Sequence, residues 1–184
     1  MMRTPFGSWP CSIARVVELL GDSWTPLVLR EISYGKRRFE DLQENLGIGR
    51  NVLAQRLNRL VDEGLLDRVP FEERRPRHEY ALTAKGRDFF PVLAAIGQWG
   101  DAWLADEDGP PILYRHGGGA AGHEVRVSVV CSVCGEPLLL EDVEPLAGPG
   151  LTPRQAQRAI AEGRCLPRPA PEPTLPLGPC LSQW

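Results

Sequence analysis

The strongest constraint on this chain is the pattern between Phe39 and Leu82. Leu53, Leu57, Leu60 and Gly64 recur at the spacing of a helix face, which predicts a helix over 50–63 with one buried side. A shorter helix is expected over 39–46, and Gly47-Ile48-Gly49 reads as the turn between the two. Gly64 should end the longer helix, because glycine tolerates the positive φ of a C-terminal cap. Leu65–Phe71 and Arg77–Leu82 then read as strands, with Tyr80 and Leu82 alternating inward. The intervening Glu72-Glu73-Arg74-Arg75-Pro76 is too polar to be buried. Two helices around a glycine turn, followed by a hairpin with a basic tip, make a winged helix-turn-helix: a mainly α fold with a small β wing.

The outer side of the longer helix carries Asn51, Gln55, Asn58 and Arg59, with Arg56 on its flank. Amides pair bidentately with adenine and guanidinium groups with guanine, and the second helix of such a motif lies in the DNA major groove. These side chains, with Arg38 and Arg50, are the expected contacts to bases and neighbouring phosphates. Arg74, Arg75 and Arg77 would reach flanking phosphates or the minor groove. Two blander readings stay open. The helix also suits a solvated amphipathic surface, and Glu72 and Glu73 partly cancel the charge of the tip. On that reading the winged unit is a protein–protein interaction module whose arginines meet acidic side chains.

The net charge of −3 gives no global sign of nucleic-acid binding. Residues 1–106 carry 15 basic and 15 acidic side chains, and the remainder 6 against 9. Attraction to double-stranded DNA must come from a local basic patch around Lys36-Arg37-Arg38, Arg50, Arg56, Arg59 and the hairpin tip. Such binding should weaken steeply with salt. No apolar run approaches the ~20 residues that span a bilayer, and the N-terminus lacks the pattern of a signal peptide. With five cysteines, an odd number, the expectation is a cytoplasmic protein with reduced thiols and no membrane partner. There is no Gly-x-Ser-x-Gly turn, phosphate loop or His-Glu-x-x-His, so an enzyme is not expected.

Residues 1–9 read as an arm ending in Trp9. Pro10-Cys11 should open a helix with Ile13, Val16, Val17 and Leu20 on one face, stopped at Gly21. Thr25 at N-cap and Pro26 at N1 should start the next, burying Leu27, Val28 and Ile32. Thr83 should cap a long helix over 84–105 with Phe89, Val92, Leu93, Ile96, Trp99 and Trp103 as its stripe, kinked by Pro91. That stripe is large for a small domain to cover alone. It predicts a homodimer built from this helix and the Cys11–Leu20 helix, with burial inside the monomer as the other reading. Cys11, at a helix N-terminus, would be made more nucleophilic by the helix dipole. It is a redox-sensing candidate or a packed interface side chain.

The first domain is thus 1–106, and the glycines and prolines of 107–122 read as a linker. Residues 123–150 should form a small, β-rich, zinc-ribbon-like extension, with a strand over 125–130, the Cys131-Ser132-Val133-Cys134-Gly135 turn and a return strand over 138–140. Residues 151–184 hold a short helix capped at Thr152, then a tail with six prolines among the 13 positions 167–179, expected to be disordered. Cys131 and Cys134 have the spacing of a zinc knuckle, and His116 and His123 are the nearest further ligands for a closed four-ligand site. A ribbon without metal and a redox dithiol are the alternatives, so no cofactor is required and zinc is optional.

Several segments resemble the HxlR-type winged helix-turn-helix regulators. They are Cys11-Ser12-Ile13-Ala14, Gly21-Asp22-Ser23-Trp24-Thr25, the Leu-x-x-Arg of Leu27–Arg30, Arg38-Phe39-Glu40-Asp41-Leu42, Asn51–Leu57, Glu63-Gly64-Leu65, Glu79–Thr83 and Lys85-Gly86. The resemblance spans about residues 10–105. It implies a dimeric bacterial transcriptional regulator, similar in fold to the MarR group, whose terminal helices form the dimer and which acts on a palindromic operator. A cysteine at the place of Cys11 senses electrophiles, quinones or oxidants in some members, and a proline at the place of Pro91 is usual. The C-terminal part resembles an extension with a Gly-His…Cys-x-x-Cys-Gly pattern, here Gly122-His123 and Cys131–Gly135. Ala121 stands where such extensions often carry a further Cys. A cavity between the reading domain and the dimer helices would suit a small-molecule effector.

Overall fold

Four helices precede the first strand: α1 Ser12–Leu20, α2 Trp24–Ser33, α3 Phe39–Leu46 and α4 Arg50–Asp62. This computed structural model describes residues 6, 9–72, 77–118, 121–161 and 168–169. Strands β1 Leu66–Glu72 and β2 Arg77–Leu82 follow and pair antiparallel, Leu66 opposite Leu82 and Arg68 opposite Tyr80, with an irregularity between Pro70 and Glu72. Then come α5 Ala84–Asp88, α6 Phe90–Trp103, β3 Tyr114–His116 and β4 His123–Val125. By its contacts the chain divides into two units, 16–130 and a second made of 1–15 and 131–184.

The core of the larger unit joins Val28, Leu29 and Ile32 of α2, Leu42 of α3, and Leu53, Leu57 and Leu60 of α4 with Ile48, Leu65, Leu66 and Tyr80. The helical spacing read from α4 therefore marks its buried side. Gly47 takes φ 61° as the C-cap of α3, and Gly64 takes φ 70° just past α4. Ile48, between Gly47 and Gly49, is buried and plugs the turn into the core. On α2, Leu29 is buried where Leu27 was expected, and Leu27 is only half-covered. The start of α2 also differs from expectation. Thr25 is not the N-cap but lies inside the helix, 1% exposed. The capping group is Asp22, whose Oδ1 accepts the backbone N–H groups of Trp24 at 2.8 Å and Thr25 at 3.2 Å. A carboxylate is a stronger acceptor than a hydroxyl at the positive end of a helix, which explains why Asp22 wins.

Thr83 caps α5 as expected: its Oγ1 accepts the Gly86 N–H at 3.0 Å. The long helix expected over 84–105 is two helices that meet at Phe89, the C-cap of α5 and the N-cap of α6. Pro91 sits in the first turn of α6, where its missing N–H costs nothing. Ala94 is the one buried residue of α6, and none of the apolar stripe expected there is buried. Trp99 and Trp103 remain 60% and 74% exposed, and Ile13, Val16 and Val17 of α1 are exposed as well.

Strand β3 lies within the stretch expected to be linker. It pairs with β4, and Tyr114 holds the pair to the helices: its hydroxyl meets that of Tyr34 at 2.9 Å and its ring packs edge-on against Phe90. The strand expected over 125–130 stops at Val125, because β3 offers only three residues for pairing. Beyond it, the Val127 carbonyl accepts from the Gln98 side chain of α6 at 2.7 Å.

In the second unit, a turn at 131–135 is closed by Gly135 N–H donating to Cys131 O and Cys131 N–H donating to Glu136 O, both at 2.8 Å. The return strand expected over 138–140 is absent, and Leu140–Asp142 forms a single 3-10 turn. Thr152 begins α7, Pro153–Ala161, through reciprocal bonds with Gln155, as the Thr-Pro pair led one to expect. Strand β5, Leu146–Ala147, pairs in parallel with β6, Arg168–Pro169, so two residues of the tail expected to be disordered are placed. The other tail residues lie outside the described set. No helix among the described residues is long and apolar enough to cross a membrane.

Candidate nucleic-acid interface

Helix α4 turns Leu53, Leu57 and Leu60 inward, which leaves Asn51, Gln55 and Asn58 on the exposed side. Asn51 and Gln55 project with no hydrogen-bond partner for their side chains among the described residues. Arg56, Asn58 and Arg59 of the same helix each meet another part of the protein. Arg56 Nε lies 2.7 Å from Asp22 Oδ2, with both side chains about three-quarters buried. That nitrogen is buried but not aligned for a directed hydrogen bond, so the contact is one of charge. Arg59 Nη2 donates to the Glu18 carbonyl at the end of α1, at 2.5 Å. Asn58 Oδ1 accepts from Arg68 Nη2 on β1.

These bonds fasten the exposed helix on three sides. Asp22 is the central group: one carboxylate oxygen caps α2 while the other faces Arg56 and, at 3.4 Å, the Thr25 hydroxyl. The preceding helix is fastened similarly. Glu31, 3% exposed, accepts from Arg30 Nε at 2.9 Å and from Asn45 Nδ2 of α3 at 2.5 Å. A buried carboxylate is tolerable only with such partners.

At the edge of this surface, Arg38 Nε reaches Glu79 Oε1 on β2 at 3.2 Å. The Arg50 guanidinium stacks over the Phe39 ring, 5.1 Å from its centre. Arg74 and Arg75 lie outside the described residues, and only the backbone of Arg77 is described, in β2. Sequence reasoning missed Asp22, Glu31 and Arg68. Asp22 had a readable signal, an Asp two residues before a helical run. Arg68 had none, since its partner is set by the pairing of β1 beside α4.

Three further sets of candidate residues remain. Cys11 Sγ accepts the Ala14 N–H at 3.5 Å at the start of α1. Cys131 and Cys134 sit in the 131–135 turn, where backbone N–H groups of Cys134 and then Val133 hold the Cys131 thiol below its ordinary pKa. His116 and His123 face one another across β3 and β4, with ring centres 5.6 Å apart. Among the described residues, no three His, Cys, Asp or Glu side chains are placed to hold a metal ion. Among the described residues each pair therefore supplies two of the four ligands that a closed zinc site needs.

Known proteins show a matching pattern. The HxlR-like helix-turn-helix family matches residues 19–108. An uncharacterized HTH-type transcriptional regulator of Mycobacterium tuberculosis is 44% identical over 145 residues, 79% of this chain and 90% of the relative. Another, from Synechocystis, is 43% identical over 98 residues, 53% of this chain and 73% of the relative. The crystal structure of PA1607, described as a candidate transcription factor, is 36% identical, with a TM-score of 0.68 over 77% of this chain and 98% of that one. The fold, the fastened outward helix and these relatives together establish that the chain belongs to the HxlR-like helix-turn-helix family of transcriptional regulators.

Proposed function

We propose that this regulator binds double-stranded DNA sequence-specifically, as a homodimer on a palindromic operator. The observation that carries the reading is the outer side of α4, where Asn51 and Gln55 project unpaired from a helix braced at Arg56, Asn58 and Arg59. In this reading Asn51 and Gln55 contact base edges. Arg38, Arg50 and the wing arginines Arg74, Arg75 and Arg77 supply phosphate contacts, and Arg56, Asn58 and Arg59 hold the helix at its angle to the groove. Support for the dimer comes from the exposed apolar side chains of α6 and α1, Ile96, Trp99, Trp103, Val16 and Val17. Exposed aromatic and aliphatic clusters of this kind mark association surfaces. The place of Cys11 at the start of α1, on the proposed dimer surface, makes it the candidate through which thiol-reactive electrophiles or oxidants would alter binding.

The test is a fluorescence-anisotropy titration of the full chain on duplex DNA from upstream of its own gene, at two salt concentrations, with mass measured by light scattering. A dimeric complex that outcompetes unrelated duplex and weakens steeply with salt is the expected result. Equal affinity for all duplexes would refute sequence-specific reading. No affinity at low salt would favour a winged protein–protein module instead.

A further inference from the structure

We propose that His116 and His123 form a two-imidazole site for a borderline divalent transition-metal cation, on the β3–β4 hairpin and separate from the DNA-reading surface. The two histidines are direct partners in the antiparallel register, so their side chains leave the same face of the hairpin. Both are exposed, and their ring centres lie 5.6 Å apart. A metal–nitrogen bond of about 2.0–2.1 Å places an ion roughly 3.2 Å from each ring centre, so a near-tetrahedral ion shared by two rings sets those centres about 5.2 Å apart. The observed spacing is within a few tenths of an ångström of that requirement, and rotation about the side-chain torsions supplies the difference.

The hairpin is a firm platform for such a pair. Tyr114, two residues before His116, is bonded to Tyr34 and packed on Phe90, and Gln98 holds the Val127 carbonyl just after β4. Of the charged side chains beside the two histidines, Arg115 donates to the Gly122 carbonyl at 3.1 Å, and Glu124, its register partner, carries the opposite charge. The ligand set selects the occupant. Two neutral imidazoles suit zinc, cobalt, nickel or copper and not calcium or magnesium, which need oxygen ligands. With two protein ligands the remaining positions fall to water, so the site is open and exchangeable rather than structural.

Cobalt(II) is the probe that separates this site from the cysteine turn. It is titrated into the full-length, reduced protein, followed by calorimetry and by absorbance. One ion per chain should bind without a thiolate-to-cobalt charge-transfer band. His116→Gln or His123→Gln should each weaken binding at least about tenfold, while the double variant Cys131→Ser/Cys134→Ser leaves it unchanged. Thermal unfolding of the histidine variants without metal should match the parent, which separates ligand loss from a damaged hairpin. Cobalt should raise the unfolding midpoint of the parent and of the cysteine variant, and much less that of either histidine variant. A charge-transfer band abolished by the cysteine variants, binding indifferent to the histidine variants, or no binding at millimolar cobalt would each overturn the proposal.

Discussion

Breaking the contact between Asp22 and Arg56 tests whether the outward helix is braced by charge. Asp22→Ala removes two kinds of interaction at once: the pair of capping bonds to Trp24 and Thr25, and the charge facing Arg56. Loss of an acidic cap costs about 1 kcal/mol. A cation left largely buried without its partner costs about 1–3 kcal/mol more. The pair is 23% and 22% exposed, so the small values measured for surface pairs do not apply. Asp22→Ala should therefore lower stability by roughly 2–4 kcal/mol. Asp22→Asn keeps an oxygen for the cap and loses only the charge, so it should cost less. In a double-mutant cycle with Arg56→Ala, read by urea denaturation at neutral pH, the coupling should reach about 1–2 kcal/mol. Operator affinity should fall in both single variants while base preference at every position stays the same. A coupling below ~0.4 kcal/mol, the level of independent sites, would refute the brace. A base preference altered only by Arg56→Ala would make Arg56 a reader instead.

Gly86→Ala should destabilise the fold by about 1–3 kcal/mol or more, measured by thermal or urea unfolding. The added carbon would stand 2.2 Å from the Leu65 carbonyl oxygen, a backbone atom that also accepts from Thr83. Gln55→Ala should cost ~1–3 kcal/mol of operator affinity and relax discrimination at a single base pair, with unfolding unchanged. A uniform loss on all duplexes would assign Gln55 to the backbone instead. Tyr34 has its pKa raised to about 12, first by burial and then by the hydrogen bond with Tyr114. Its neutral form is favoured in the folded state, so its contribution is complete below pH ~10 and is lost as pH rises from there towards about 12. Tyr34→Phe should remove that alkaline dependence, as followed by unfolding at pH 9 and pH 11.

Helices and turns were legible because their signals are local. The spacing of Leu53, Leu57 and Leu60 marked the buried side of α4, and Gly64 its end. Partners were not legible, because they depend on which elements fold against one another. Arg56 and Arg59 read as groove contacts from their place on the helix, yet the residues they meet, Asp22 and Glu18, lie more than thirty positions earlier. Pro91 announced a disturbance, but not that the chain would break one residue before α6 and place the proline where it does no harm. The β3–β4 pair was hidden among glycines and prolines, since a three-residue ladder leaves too short an alternation to see. Of the expected extension, the 131–135 turn is present and the return strand over 138–140 is not: Cys-x-x-Cys specifies a turn, and nothing in that spacing supplies the strands around it.

The single residue between α5 and α6 has a geometric effect at the far end of the proposed dimer arm. Helix α6 has 14 residues, so it is a lever of roughly 21 Å pivoting at Phe89. Turning that lever by about 10° moves its tip by ~3.6 Å, close to the rise of one base pair along duplex DNA. In the proposed dimer, small changes in how Phe89 and Pro91 seat the arm would therefore shift the separation of two reading helices by distances comparable to the operator's own repeat. In a dimer paired through α6, the pivot rather than the groove contacts would then set the number of base pairs between half-sites.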